Sequence, residues 1–187
     1  MNHMPKLDRR SFLVGSATAG LSLGFHVPFA TSTSAQGAPE VNAWVVIKPD
    51  DTVVIRIARS EMGQGTLTGL AQMVTEELEC DWSKVTTEYP TPGQSVARKN
   101  SWGDFATGGS RGIRASHDYV RKGGAAARMM LIAAAANEWK VPTSECTAAN
   151  SVITHKASNR STTYGKVAAA AALIEPPKDV PLKDPKD

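Results

Sequence analysis

Three features of the sequence predict an α+β fold. Two strand-like runs flank the turn Pro49-Asp50-Asp51, a segment of helical spacing from about Thr66 to Leu78 lies between two strand-like segments, and an alanine-rich stretch follows from about Ile113 to Lys140. A strand hairpin, a strand-helix-strand crossover and a long Ala-rich helix pack as mixed layers around one core. With 41% hydrophobic and 21% charged residues in 187, the chain is long and apolar enough for one globular domain and is neither fibrous nor disordered.

The first 35 residues have a different character. Lys6, Arg9 and Arg10 precede a weakly apolar run that closes in small residues, the layout of a targeting segment. Glycines, Ser16, Thr18, Ser22 and His26 dilute the run from Phe12 to Phe29, and Pro28 breaks any helix there, so it is poorly suited to span a bilayer. "DRRSFLV" is similar to a twin-arginine export signal, with Asp8 where Ser or Thr usually stands; a Sec signal with two chance arginines is the alternative. The expected organisation is therefore a twin-arginine signal peptide at 1–35, cleaved after Ala35, and a periplasmic domain at 36–187. Such export carries folded proteins, often with a cofactor already inserted. Removing the three basic residues and Asp8 lowers the formal charge from +3 to +1, leaving no basic stripe to bind nucleic acid.

In the mature region, Val41 to Lys48 and Thr52 to Ala58 read as the hairpin. Val53, Ile55 and Ile57 alternate with Thr52, Val54 and Arg56, so one face of the second strand is expected to be buried. Leu67, Leu70, Ala71, Val74 and Leu78 then mark one face of a helix, and "SKVTTEYPT" returns as a strand ended by Pro90 and Pro92. "GQSVARKNSWGDFATGGSRG" has the composition of a long irregular loop, which in a compact domain is usually functional or disordered. The Ala-rich helix is expected to be interrupted at Gly123-Gly124, where small residues point to close approach of another backbone. "SECTAANSVITHKASNRSTTYG" reads as two short strands around an Asn-Ser turn. A last helix begins near Tyr164, and the tail "EPPKDVPLKDPKD" reads as a chain cut in mid-domain.

The chemistry is expected at Gly63-Gln64-Gly65, between a strand and a helix. Unpaired amides and the helix dipole favour an anion there, and glycines let a ligand approach the backbone. A Rossmann fingerprint fails because Thr68 stands where its third glycine belongs, and no Walker lysine follows. Gln64 can donate and accept at once, which suits a heteroaromatic or metal-oxo ligand; an ordinary tight turn with an exposed Gln remains the alternative. Cys80 and Cys146 lack metal or redox spacing and read as buried thiols in preference to a disulfide. His117 and His155 match no metal-ligand pattern. Glu76 and Glu77 read as a solvated helix face and Glu61 as a polar turn residue, while Arg111 is either a cation added to the site or an ordinary exposed arginine.

"SEMGQGTLTGLAQMVTEEL" resembles the Gly-Gln-Gly segment of the molybdenum hydroxylases, the xanthine dehydrogenase and aldehyde oxidase superfamily. "ATGGSRGIRASHDYVRKGGAAARMML" resembles the second cofactor segment in the large subunit of its isoquinoline 1-oxidoreductase branch, which includes periplasmic aldehyde dehydrogenases. The resemblance implies a molybdopterin-binding domain and a molybdenum pyranopterin cofactor in its cytosine dinucleotide form. Gly63, Gln64 and Gly65 would approach that cofactor, with Gln64 near the metal, and Thr107, Gly108, Gly109 and Ser110 would form a second loop donating to phosphate or pterin oxygens. It further implies oxidation of aldehydes or hydroxylation of N-heterocycles with oxygen from water, and a glutamate base in a part of the subunit this chain does not contain. Iron-sulfur clusters would lie only on a partner, a small 2Fe-2S subunit, with a membrane cytochrome c beyond it. On this reading the chain is an N-terminal fragment, inactive alone. A non-enzymatic periplasmic interaction module on the same scaffold is the competing reading.

Overall fold

A computed structural model describes residues 38–184 and 186; the expected signal peptide lies outside the described residues. Strands β1 (Val45–Ile47) and β2 (Val53–Arg56) form the expected antiparallel hairpin, with Val46 opposite Val54. Helix α1 (Thr66–Leu78) crosses over to β3 (Val85–Glu88), which pairs parallel to β2 with Val53 opposite Val85. Two short helices follow, α2 (Pro92–Ala97) and α3 (Arg111–Arg114), then the long α4 (His117–Trp139). Strands β4 (Cys146–Ala149), β5 (Val152–His155) and β6 (Arg160–Thr163) make a second, antiparallel sheet before α5 (Tyr164–Ala171). The α+β class stands.

The core lies where α1 and α4 meet the first sheet. Leu70, Val74 and Leu78 of α1 join Val45, Ile47, Val53 and Ile55 and the α4 residues Ala127, Met130 and Leu131 in one buried cluster. Helix α5 docks on the hairpin: Gly165 N–H donates to Asp51 Oδ1 at 2.7 Å, and the buried Tyr164 hydroxyl donates to the Leu78 carbonyl at 2.6 Å. That bond satisfies a carbonyl in the last turn of α1, which has no partner within its own helix. Burial, reinforced by the neighbouring Cys80, pushes the Tyr164 hydroxyl well above its ordinary pKa.

Several local expectations are corrected. Strand β2 is buried on both faces, because the face bearing Arg56 is covered by Trp102, whose ring lies 5.9 Å below the guanidinium. The segment expected to be irregular contains α2, held by a capping box: Thr91 Oγ1 accepts from the Gln94 N–H and Gln94 Oε1 accepts from the Thr91 N–H, with Pro92 opening the helix. Gly123-Gly124 does not interrupt α4. The glycines sit inside it because Trp44 and the α1 backbone press on them, as their close-approach signature implied. The second sheet has three strands, since the polar run Arg160–Thr163 pairs with β5 although it shows no apolar alternation. Glu77 is fully buried, its carboxylate 2.6 Å from Arg121, whereas Glu76 is exposed. Cys80 and Cys146 are both free and buried, and burial pushes the Cys80 thiol up to about 11.

Candidate functional site: two loops joined at Ser60

Strand β2 runs into the segment Ile57 to Ser60, and here the chain places an arginine where an apolar residue would be expected. Arg59 is 5% exposed, and its guanidinium serves as the hub of the site. Its Nε donates to Ser116 Oγ at 2.9 Å, and its Nη1 donates to Asp104 Oδ1 at 2.6 Å, to the Asp104 carbonyl at 3.0 Å and to the Ala106 carbonyl. Burial disfavours its charge, but the hydrogen bond to the Asp104 carboxylate, with Tyr119 adding to it, outweighs this and holds its pKa above the usual value. The same ion pair holds Asp104 below the ordinary carboxylate range. One residue later, the Ser60 N–H donates to Thr107 Oγ1 at 3.0 Å. The two glycine loops, over forty residues apart in sequence, are thus tied side by side by Arg59 and Ser60.

Helix packing reinforces this. A Cβ on Gly112 in α3 would lie 2.8 Å from Thr66 Oγ1 in the first turn of α1, and one on Gly69 would lie 3.1 Å from Ile113 Cδ1. The helix that follows the second loop therefore rests against the helix that follows the first. All seven residues expected to approach a cofactor, Gly63, Gln64, Gly65, Thr107, Gly108, Gly109 and Ser110, stand on these two joined loops.

Gly63 and Gly65 have φ of 92° and 77°, the left-handed region that favours glycine. Their amides do not stand open. Glu61 Oε1 accepts from Gly63 N–H at 2.7 Å and from Gly65 N–H at 2.9 Å, while its Oε2 accepts from Leu67 N–H at 2.9 Å. These bonds, Leu67's first, lower the Glu61 pKa from 4.5. The Gln64 side chain bridges its own turn: Oε1 accepts from Met62 N–H at 2.5 Å and Nε2 donates to the Ser60 carbonyl at 2.8 Å, leaving its second Nε2 hydrogen available.

The second loop is more open. The Gly108 and Gly109 carbonyls accept from Arg111 Nε and Arg114 Nη2, both at 3.2 Å, so their guanidinium groups lie against the loop. No hydrogen bond among the described residues takes the amides of Gly108, Gly109 or Ser110. Gly108 is informative: its φ lies outside the left-handed region, and a Cβ built on it would meet nothing within 4 Å. Neither backbone strain nor packing within the described residues calls for glycine there. A group lying flat on the backbone would. Ser110, at φ 55°, is a non-glycine residue held left-handed at the start of α3.

Arg59, Ser60 and Asp104 escaped the sequence reading. A charged residue closing a strand as apolar as "VVIRIA" was the available signal for Arg59, and nothing local pointed to Asp104. The two histidines stand apart from the loops: His117 is exposed at the start of α4, and the buried His155 is bonded to Ser158 Oγ at 2.6 Å and Glu145 Oε2 at 2.8 Å.

Known proteins place the chain in a family. The sequence matches the family model described as the Molybdopterin cofactor-binding domain over residues 7–184. It is 34% identical over 177 residues to the isoquinoline 1-oxidoreductase subunit beta of Brevundimonas diminuta, covering 91% of this chain and 23% of that protein. It is likewise 34% identical over 171 residues to the membrane-bound aldehyde dehydrogenase (pyrroloquinoline-quinone) of Gluconacetobacter polyoxogenes, covering 87% of this chain and 21% of that protein. The chain thus spans less than a quarter of the length of these curated relatives. Its fold is similar to part of quinoline 2-oxidoreductase from Pseudomonas putida 86, with a TM-score of 0.52 and 17% identity over 69% of this chain and 16% of that one. With the family model matched along nearly its whole length, this chain belongs to the Molybdopterin cofactor-binding domain family.

Proposed function

We propose that this chain supplies cofactor contacts in the large subunit of an exported molybdenum-dependent oxidoreductase acting on aldehydes or N-heterocycles. The observation that carries the reading is the bare backbone of Gly108 beside free amides, joined through Thr107 and Ser60 to the Gly63-Gln64-Gly65 turn. The residues fit a flat, anionic, heteroaromatic group. Gly108, Gly109 and Ser110 would donate amides to its oxygens, the Thr107 hydroxyl would donate the proton it does not use with Ser60, and Gln64 would offer its free amide hydrogen toward the metal end. When bound, the molybdenum pyranopterin supplies oxygen transfer from water and accepts the electrons. The chain's own residues bind and orient it, while the general base lies in a further part of the subunit. The cytosine dinucleotide form, a small 2Fe-2S partner subunit carrying the iron-sulfur clusters, and a membrane cytochrome c complete the reading, with similarity to the two curated relatives as its support.

Gln64→Ala in the full chain is expected to lower cofactor affinity about tenfold, which is about 1.4 kcal/mol and lies within the roughly 1 to 3 kcal/mol of an unsatisfied polar contact. The Gln64 side chain is exposed, so folding stability is expected to move by only about 0.5 kcal/mol. Molybdenum and released cytosine nucleotide per chain check this beside wild type. Unchanged stoichiometry would remove Gln64 from the site. A stable natively expressed protein containing neither would instead favour a non-enzymatic periplasmic interaction module.

The periplasmic destination rests on "DRRSFLV". Arg9→Lys with Arg10→Lys is expected to retain the protein in the cytoplasm without loss of folded material, as read by fractionation and immunoblot. Undiminished periplasmic protein in the double variant would sink twin-arginine transport.

A further inference from the structure

Glu61 has an unusual position for a residue in an exposed turn. It stands four residues before Gly65, and its side chain folds back so that two oxygens accept three backbone N–H groups, those of Gly63, Gly65 and Leu67. The left-handed φ values at Gly63 and Gly65 turn their amides to the same side, forming a concavity of the kind that binds anions. The start of α1 adds the positive end of a 13-residue helix. A carboxylate suits this concavity, and a neutral amide does not, because its NH2 would face the Leu67 N–H donor to donor. Glu61 is fixed from its other end as well, since its own N–H donates to the Tyr89 hydroxyl at 3.1 Å.

Two consequences follow. The amides that a phosphate would need at the start of α1 are already taken, so the anionic part of a ligand is directed to the amides beyond Thr107. The conformation of the turn is also set before any ligand arrives. Gln64 Nε2 then meets the Ser60 carbonyl, and the Ser60 N–H meets Thr107, so one continuous chain of bonds links Gln64 to the second loop. Preorganisation of this kind spares the ordering cost that a flexible glycine turn would otherwise impose on binding.

We propose that Glu61 is a positioning residue of the cofactor site: its carboxylate serves as the chain's internal anion, closing the start of α1 and holding Gln64 in register with the Thr107–Ser110 loop. The proposal rests on the reading that Gln64 meets the cofactor.

The test uses the full chain, cofactor-free and cofactor-loaded, as wild type, Glu61→Gln and Gln64→Ala. In cofactor-free wild type, the amide NMR shifts of Gly63, Gly65 and Leu67 are expected to titrate together, with a midpoint below 4.5 because these amides stabilise the carboxylate. In Glu61→Gln the three shifts are expected to be flat with pH. Cofactor affinity, read as molybdenum and nucleotide per chain, is expected to fall about tenfold in Glu61→Gln with little change in thermal midpoint. Independent titration of the three amides in wild type overturns the clamp. Joint titration with unchanged occupancy in Glu61→Gln overturns the positioning role and leaves Gln64 in place. Occupancy lost in Glu61→Gln but kept in Gln64→Ala removes Gln64 as a contact and with it overturns the positioning role given to Glu61. Wild type that binds no cofactor overturns both.

Discussion

Arg121→Ala is expected to lower folding stability by about 3 kcal/mol, because it strands a carboxylate with no exposed surface. Glu77 lies on α1 with its side chain wholly buried, and Arg121 on α4 meets it through Nε at 2.8 Å and Nη2 at 2.6 Å. Apart from Arg121, the one donor to the Glu77 carboxylate among the described residues is the Lys183 N–H at 3.2 Å, and Arg121 in turn donates to the Lys183 carbonyl at 3.2 Å. The pair therefore joins two core helices and the C-terminal segment. Breaking a buried pair costs about 3 to 5 kcal/mol, and the partial exposure of Arg121 argues for the lower end. The double variant Glu77→Leu with Arg121→Met removes both charges and is expected to recover most of the loss, since a packed apolar pair of similar volume is often neutral. Urea unfolding midpoints with unchanged slope measure both. A single variant within 1 kcal/mol of wild type would show that Glu77 is solvated in solution.

Gly124→Ala is expected to destabilise as well, by up to about 2 kcal/mol net. A Cβ at this position would lie 2.4 Å from the Val74 carbonyl oxygen and 3.1 Å from Glu77 Cβ, so α1 and α4 would have to move apart along the contact that builds the core. The obstacle is backbone, which cannot swing aside as a side chain can. Overpacking of this kind costs about 1 to 3 kcal/mol and occasionally more, against a gain of only about 1 kcal/mol from the better helix propensity of alanine. Thermal unfolding of the variant checks it. A rise in midpoint would mean that propensity wins and that the helices have slack between them.

Both sites show how much was legible beforehand. In the sequence the glycine pair marks a place of close approach, which the structure has, and an interruption of the helix, which it does not. Helix propensity treats each residue by itself, whereas the cost of two glycines in α4 is offset by the contact they permit with Val74 and Trp44. In the sequence Glu77 reads as part of a solvated face because Glu76-Glu77 is polar and α1 already has an apolar stripe. The covering groups come from Arg121 and Lys183, far along the chain. At the site, the glycine loops were visible as composition and resemblance, and the Ser60 to Thr107 bond brings them together. The clamp by Glu61 was hidden because a glutamate near a turn is polar in either case. Only the folded chain decides which amides it takes.

Taken alone, the sequence determined the features that depend on short-range chemistry. The hairpin follows from β-branched runs about Pro49-Asp50-Asp51, the limits of α1 from spacing at 3.6 residues per turn and a glycine start, and the family from two motifs in order. The tertiary structure decided what depends on partners distant in the chain. It covered the second face of β2 with Trp102, carried α4 through Gly123-Gly124 and brought Arg59 to Asp104. It also filled the anion-binding start of α1 with the chain's own carboxylate. The physical reason is that periodicity and turn geometry are set by neighbours along the backbone, whereas desolvation, ion pairing and amide satisfaction are set by whichever groups the folded chain brings within about 3 Å.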